Sequence, residues 1–212
     1  METKPVVLLC GCEAYRPYLE AALRRLDRPE WHLVGIVGGA SGEAIWDEES
    51  RIVALPVLDT YEALPTKIHA AFAWAAARWP DAPGIYKTDD DIVYKSVPTL
   101  AKAILEYAAE PYWGLFTAAC QAGQVNPARI ASRFMDKTLR PKHQAAAYCY
   151  GHGYWVGRQA LPALLAASED YRDSSLEDVC TGFVLNRAGF RPKRLPLPYW
   201  EMQRGPALLT AP

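Results

Sequence analysis

Unbroken apolar runs and helical stripes alternate along the first half of the chain. VVLLCGC, from Val6, reads as a strand buried on both faces. Tyr15 to Leu26 has the composition of a helix. LVGIVGG, from Leu33, predicts a second buried strand ending in glycines, and IVALP, from Ile52, a third. In LPTKIHAAFAWAAARW the apolar residues Leu64, Ile68, Ala71, Phe72, Ala75 and Trp79 form one helical stripe. Pro65 suits the first turn of that helix, where a missing N–H costs nothing. GIYKTDD predicts another strand, and PTLAKAILEYAA, from Pro98, another helix. This rhythm predicts an α/β fold with a largely parallel sheet. Gln121 to Gln144 is polar and basic and predicts loop or short helix. The apolar stretch AAAYCYGHGYWVG follows, then a helix from about Ser175 to Ala188, stopped by Gly189 with Pro192 beyond. With no repeat, low-complexity tract or linker, residues 1–212 read as a single domain.

Charge and cysteine usage narrow the partners. A net charge of −1 provides no field to gather nucleic acid or an anionic membrane, though it leaves peripheral membrane contact open. No apolar run is long enough to span a bilayer. The first apolar run is short and leads into charged sequence, unlike a secretory leader. Five cysteines, an odd number without such a leader, predict reduced thiols and a cytoplasmic location. Cys10 and Cys12 are too close for the C-x-x-C spacing of a zinc pair, and no second pair accompanies them.

One cluster breaks the apolar pattern. Asp89, Asp90 and Asp91 stand side by side where a buried strand ends. Adjacent carboxylates resist ionising together. In open α/β sheets, ligands bind outside the carboxyl ends of strands. In an extended chain, Asp89 and Asp91 point to one side and Asp90 to the other. Two hard oxygen ligands at that spacing suit Mg2+ or Mn2+, completed by water and phosphate oxygens. The competing reading is a solvated acidic turn with one aspartate capping the next helix. For a D-x-D standing alone, that reading is the better one.

The neighbouring stretches reverse the preference. LDTYEALPTKIHAAFAW, IYKTDDDIVYK, YCYGHGYWVG and LEDVCTGFVLNRAGF occur in this order. Together they resemble the β-1,3-glycosyltransferase family (family 31 of the glycosyltransferases), which includes β-1,3-galactosyltransferases, N-acetylglucosaminyltransferases and Fringe. The resemblance runs from about Leu58 to Phe190. It implies a GT-A fold, a Rossmann-like open twisted sheet flanked by helices. It also implies a nucleotide-sugar donor, usually UDP-linked, a glycan or glycolipid acceptor, Mn2+ or Mg2+, and inversion to a β-linkage. Residue by residue, Asp91 would be the direct metal ligand and Asp89 would lie beside it near the donor ribose, with Asp90 in the same donor-binding motif. Asp59, Thr60, Tyr61, Leu64 and Lys67 match a second family motif, and Cys149 to Tyr154 a third. Glu177, Asp178 and Val179 match the motif whose aspartate is the family's catalytic base.

Each position also has a reading of its own. Lys67, near a helix start, opposes the helix dipole. It reads equally as a partner for a donor phosphate or as a lysine that snorkels to solvent. Gly151 and Gly153 weaken a strand unless a ligand or another backbone approaches, and a bulge explains them as well. His152 stands where the family has a small residue, and it reads first as narrowing the pocket beside Tyr154 and second as touching the donor or acceptor. Ser174-x-x-Glu177 and Ser175-x-x-Asp178 each have the form of a capping box. The family register makes Asp178 the base and leaves Glu177 open between acceptor contact and cap.

The chain departs from the family in lacking the amino-terminal arginine-rich motif, and it suggests neither the membrane anchor nor the lumenal disulfides. It also has no histidine in its tail to serve as a further metal ligand, a place that Glu201 or water would fill. The basic groups from Arg129 to His143 read first as a solvated face and second as a site for an anionic acceptor. Two other classes remain open. One is a metal-dependent nucleotidyltransferase or phosphohydrolase, and the other a catalytically silent carbohydrate-binding protein.

Overall fold

Val6–Cys10 forms β1 at the centre of a sheet, and every residue in it is buried. A strand hydrogen-bonded on both sides and covered on both faces favours apolar side chains. The computed structural model describes residues 3–115, 146–174, 176–195 and 200–202. β1 pairs in parallel with β2 (His32–Val37) on one side and β5 (Gly84–Asp89) on the other. Beyond β2 come β4 (Ile52–Ala54), parallel, and β3 (Ile45–Asp47), an antiparallel edge strand.

On the far side of β5 the sheet changes character. β8 (Gly153–Gly157) runs antiparallel to β5, and β7 (Tyr112–Gly114) antiparallel to β8. β9 (Lys193–Arg194) joins β7 in parallel. The strand order is β3-β4-β2-β1-β5-β8-β7-β9, an open sheet. The parallel expectation therefore holds for β4, β2, β1 and β5 and fails beyond them. β6 (Ile92–Tyr94) pairs instead with β10 (Trp200–Met202) in a separate antiparallel ribbon.

Helices cover both faces. Val7 and Leu9 of β1 pack with Leu19, Ala22 and Leu23 of α1 (Arg16–Arg25) and with Leu100 and Ile104 of α3 (Val97–Glu106). Val6 and Leu8 pack on the other face with Ile68, Ala71, Phe72 and Ala75 of α2 (Leu64–Arg78). The short helices α4 (Leu161–Leu165) and α5 (Ser168–Arg172) and the longer α6 (Glu177–Arg187) share that second face. The period-two alternation of β1 thus feeds two cores. Pro65 occupies the first turn of α2 as expected. Gly189, at φ +88°, ends α6 in the left-handed region where a side chain would be strained. No helix among the described residues is long and apolar enough to cross a membrane.

Candidate active site

The carboxyl ends of β1 and β5 lie side by side, and the acidic triplet starts there. β5 ends at Asp89, and Asp90 and Asp91 form the turn into β6. The extended-chain expectation therefore stops at Asp89, because the turn bends the next two residues away from strand geometry. Asp90 N–H donates to Cys10 O at 3.0 Å, which fixes the turn against β1. A Cβ on Gly11 would lie 3.0 Å from Asp90 Oδ2, so the glycine makes room for that carboxylate. Burial, then the fields of Asp89 and Asp91, push the Asp90 carboxyl up to about 7.

Asp89 lies on the α6 side of β5, together with Lys87. Lys87 is fully buried and reaches Asp89 Oδ1 (2.6 Å), Gly151 O (2.8 Å) and Glu177 Oε1 (2.9 Å). Burial disfavours its charge, but Asp89 and Glu177 outweigh burial and raise its pKa well above the ordinary lysine value. Glu177 Oε2 accepts from Tyr154 OH at 2.9 Å, and Thr181 links Tyr154 to Tyr171 beyond. Glu177 and Tyr154, expected at an acceptor pocket, are thus core residues bonded to each other.

The Ser174 capping box is not formed. Leu176 is the N-cap of α6, and its own side chain makes no capping bond. Ser174 Oγ turns back on Leu176, donating to its O and accepting from its N, while Ser175 lies outside the described residues. Glu177 cannot reach back to the cap because Lys87 and Tyr154 hold both of its oxygens.

Asp178 is buried next to it. Its Oδ1 accepts from Val179 N (2.9 Å) and its Oδ2 from Gly151 N (3.1 Å). A Cβ on Gly151 would lie 2.7 Å from Glu177 Oε1 and 3.6 Å from Asp178 Oδ2. At Gly153 a Cβ would collide with Tyr86 OH. Both glycines are needed because the protein's own side chains occupy the space, and pairing from Gly153 onward is regular, with no bulge.

His152 is half-buried between these parts, its ring 5.8 Å from that of Tyr150. Burial lowers its pKa, and the charges that act on it are Asp89, Asp91, Lys87 and Asp178. Charges expected from two separate motifs, the acidic triplet and Glu177-Asp178-Val179, thus act on an imidazole of the third.

Lys67 does not snorkel. It is buried, and its Nζ donates to Gly11 O (2.7 Å) and Asp59 Oδ1 (2.8 Å). Asp59 Oδ2 in turn accepts from Glu13 N at 2.6 Å, tying together the loops that follow β1 and β4. The sequence reading missed Lys87 altogether. Its signal was there, since a lysine inside an otherwise apolar strand needs a buried partner.

Among the described residues, no group of three or more His, Cys, Asp or Glu is arranged to hold a metal. Asp89 nonetheless fits a cation that takes one or two carboxylates and completes its shell with phosphate oxygens and water. Asp89 is partly exposed, with a side chain 27% accessible, and its Oδ2 accepts no hydrogen bond from the described residues. The basic stretch from Arg129 to His143 lies outside the described residues, and Glu201 is placed by its backbone alone, opposite Val93. Cys10, Cys12, Cys149 and Cys180 form no disulfide among the described residues.

The galactosyltransferase family model matches residues 32–196. Human beta-1,3-galactosyltransferase 2 is 28% identical over 150 residues, covering 68% of this chain and 35% of its own length. Beta-1,3-galactosyltransferase 5 of Gorilla gorilla gorilla is 26% identical over 168 residues, covering 77% of this chain and 55% of its own length. The chain thus spans between a third and just over half of these relatives. Among solved structures, a mannosyltransferase of Pyrobaculum calidifontis, in complex with GDP-Man and Mn2+, aligns with TM-score 0.53 at 15% identity, over 92% of this chain and 55% of its own. A glycosyltransferase involved in glycosylation of the major capsid of PBCV-1 aligns with TM-score 0.51 at 11% identity, over 91% and 82%. These neighbours share the GT-A fold.

Proposed function

This chain belongs to the galactosyltransferase family of β-1,3-glycosyltransferases, and on that premise we propose that it moves a sugar from a UDP-linked donor to an acceptor hydroxyl with inversion. The observation that supports this most is the hydrogen-bonded cluster that joins Asp89 at the end of β5, the Gly151 turn and Asp178 at the start of α6 through Lys87 and the Gly151 backbone. A transferase of this kind needs a site for an anionic leaving group next to a base for the incoming hydroxyl.

Asp178 accepts the proton of the acceptor hydroxyl as that oxygen attacks the anomeric carbon. Gly151 N–H and Val179 N–H hold its two oxygens and fix its orientation. Asp91 and Asp89 would hold Mn2+ or Mg2+, which when bound neutralises the charge of the departing nucleoside diphosphate. A single displacement turns an α-linked donor into a β-linked product, so no nucleophile of the enzyme takes part. Lys67 and Gly11 line the donor side of the site, and His152 narrows it toward a glycan or glycolipid acceptor. The four described cysteines, none in a disulfide with another, support a reducing, cytoplasmic compartment.

The test is release of nucleoside diphosphate from a panel of sugar nucleotides, with and without acceptor glycans. The expected result is release that needs an acceptor, stops in excess chelator and returns with Mn2+ or Mg2+. Release of inorganic phosphate or pyrophosphate without an acceptor would mark a nucleotidyltransferase or phosphohydrolase. Glycan binding without any turnover would mark a silent binding protein.

A further inference from the structure

One nitrogen joins three segments that are far apart in the chain. Lys87 Nζ meets Asp89 Oδ1, Gly151 O and Glu177 Oε1 at 2.6, 2.8 and 2.9 Å. An ammonium has three N–H donors, and these acceptors use all of them. The side chain is fully buried, where a lysine is rare unless it is fully paired. Backbone pairing already joins β5 to β8, and an apolar side chain would pack in the same place at less cost. An apolar side chain could not fix one oxygen of Asp89 while leaving the other unbonded among the described residues. Nor could it hold the Gly151 carbonyl, whose own N–H donates to Asp178 Oδ2 at 3.1 Å.

From this geometry we infer that Lys87 is a positioning residue. It orients Asp89 toward the cation and diphosphate, and through Gly151 it sets where Asp178 stands relative to them. The inference rests on the proposed metal-dependent transfer. It goes beyond that proposal in giving the buried ammonium a role in ligand affinity, where simple charge neutralisation would work against a bound cation.

The experiment measures Mn2+ affinity in the presence of UDP, by the electron paramagnetic resonance signal of free Mn2+, alongside melting temperature. Lys87→Met alone would leave two carboxylates unpaired, so it is made together with Glu177→Gln, which keeps an acceptor for Tyr154 OH. The single Glu177→Gln variant is the reference. The double variant is expected to melt close to that reference and to bind Mn2+ with UDP about 10- to 100-fold more weakly. Affinity equal to the reference, or tighter, overturns the inference while leaving the transferase reading intact. Wild-type protein that binds no Mn2+ with UDP, or an Asp89→Asn variant that binds as wild type does, overturns both. Should the double variant not fold, the wild-type protein decides through the 15N resonance of the Lys87 ammonium. That resonance is expected to move when Mg2+ and UDP are added, and a resonance that stays in place overturns the inference.

Discussion

Two buried lysines near the carboxyl ends of the strands are held in different ways. Lys67 has one carboxylate, Asp59, only eight residues away, whose side chain is still 14% exposed. Lys87 has two carboxylates, one of them ninety residues away, and is itself fully buried. The first fastens neighbouring loops at the mouth of the site. The second fastens a strand, a turn and a helix inside the core. Water can reach Asp59 if its partner is lost, and it cannot reach Glu177 without unfolding. The cost of removing each lysine should follow that difference rather than the number of bonds lost.

The largest effect is expected for Lys87→Met, about 3–5 kcal/mol of stability in urea unfolding, because Glu177 is left as an unpaired buried charge. A loss below about 1 kcal/mol would mean the pair is not buried in solution. Lys67→Met should cost roughly 1–3 kcal/mol, since Asp59 can be rehydrated. Equal losses for the two variants would erase the contrast. Gly151→Ala sharpens it from the side of the glycine: the added methyl would sit 2.7 Å from Glu177 Oε1, and overpacking of this kind costs about 1–3 kcal/mol. An unchanged unfolding midpoint for that variant would show the cluster to be looser than described. The smallest effect concerns thiol reactivity and leaves stability untouched. Burial pushes the Cys10 thiol up to about 12, whereas Cys12, two residues on, is half-buried. Iodoacetamide at neutral pH, mapped by mass spectrometry, should modify Cys12 and spare Cys10. The reverse order would contradict the packing of β1.

The contrast between the two lysines also marks how far the sequence could be read. β1, β2, β4 and β5 were legible as unbroken apolar runs, α2 by its apolar stripe, and α1 by its composition. β3, β6 and β7 have three residues each, too few for a period to register, and β4, equally short, was legible only through the longer run IVALP. The antiparallel half of the sheet therefore stayed hidden behind the βαβ rhythm of the first half. At the site, Lys67 and Asp59 were both visible in one motif, although their bond to each other was not. Lys87 went unread because Gly151 and Glu177 come from the turn before β8 and the start of α6, and long-range pairing leaves no local pattern. The same partnership explains why the Ser174-x-x-Glu177 signature misled: Glu177 had a buried ammonium to satisfy, which outranks a capping bond.

The central claim is that Asp178 is the base of a sugar transfer, and Asp178→Asn tests it most directly. Asparagine keeps the shape and one of the two acceptors now used by Gly151 N–H and Val179 N–H. The lost acceptor should cost roughly 1–2 kcal/mol, or about 2–8 °C in a protein of this size. Melting temperature and acceptor-dependent release of nucleoside diphosphate are measured on one preparation. The account predicts a folded variant whose turnover falls by about two to four orders of magnitude, the usual worth of a general base. A folded Asp178→Asn protein that transfers sugar at close to the wild-type rate would contradict it.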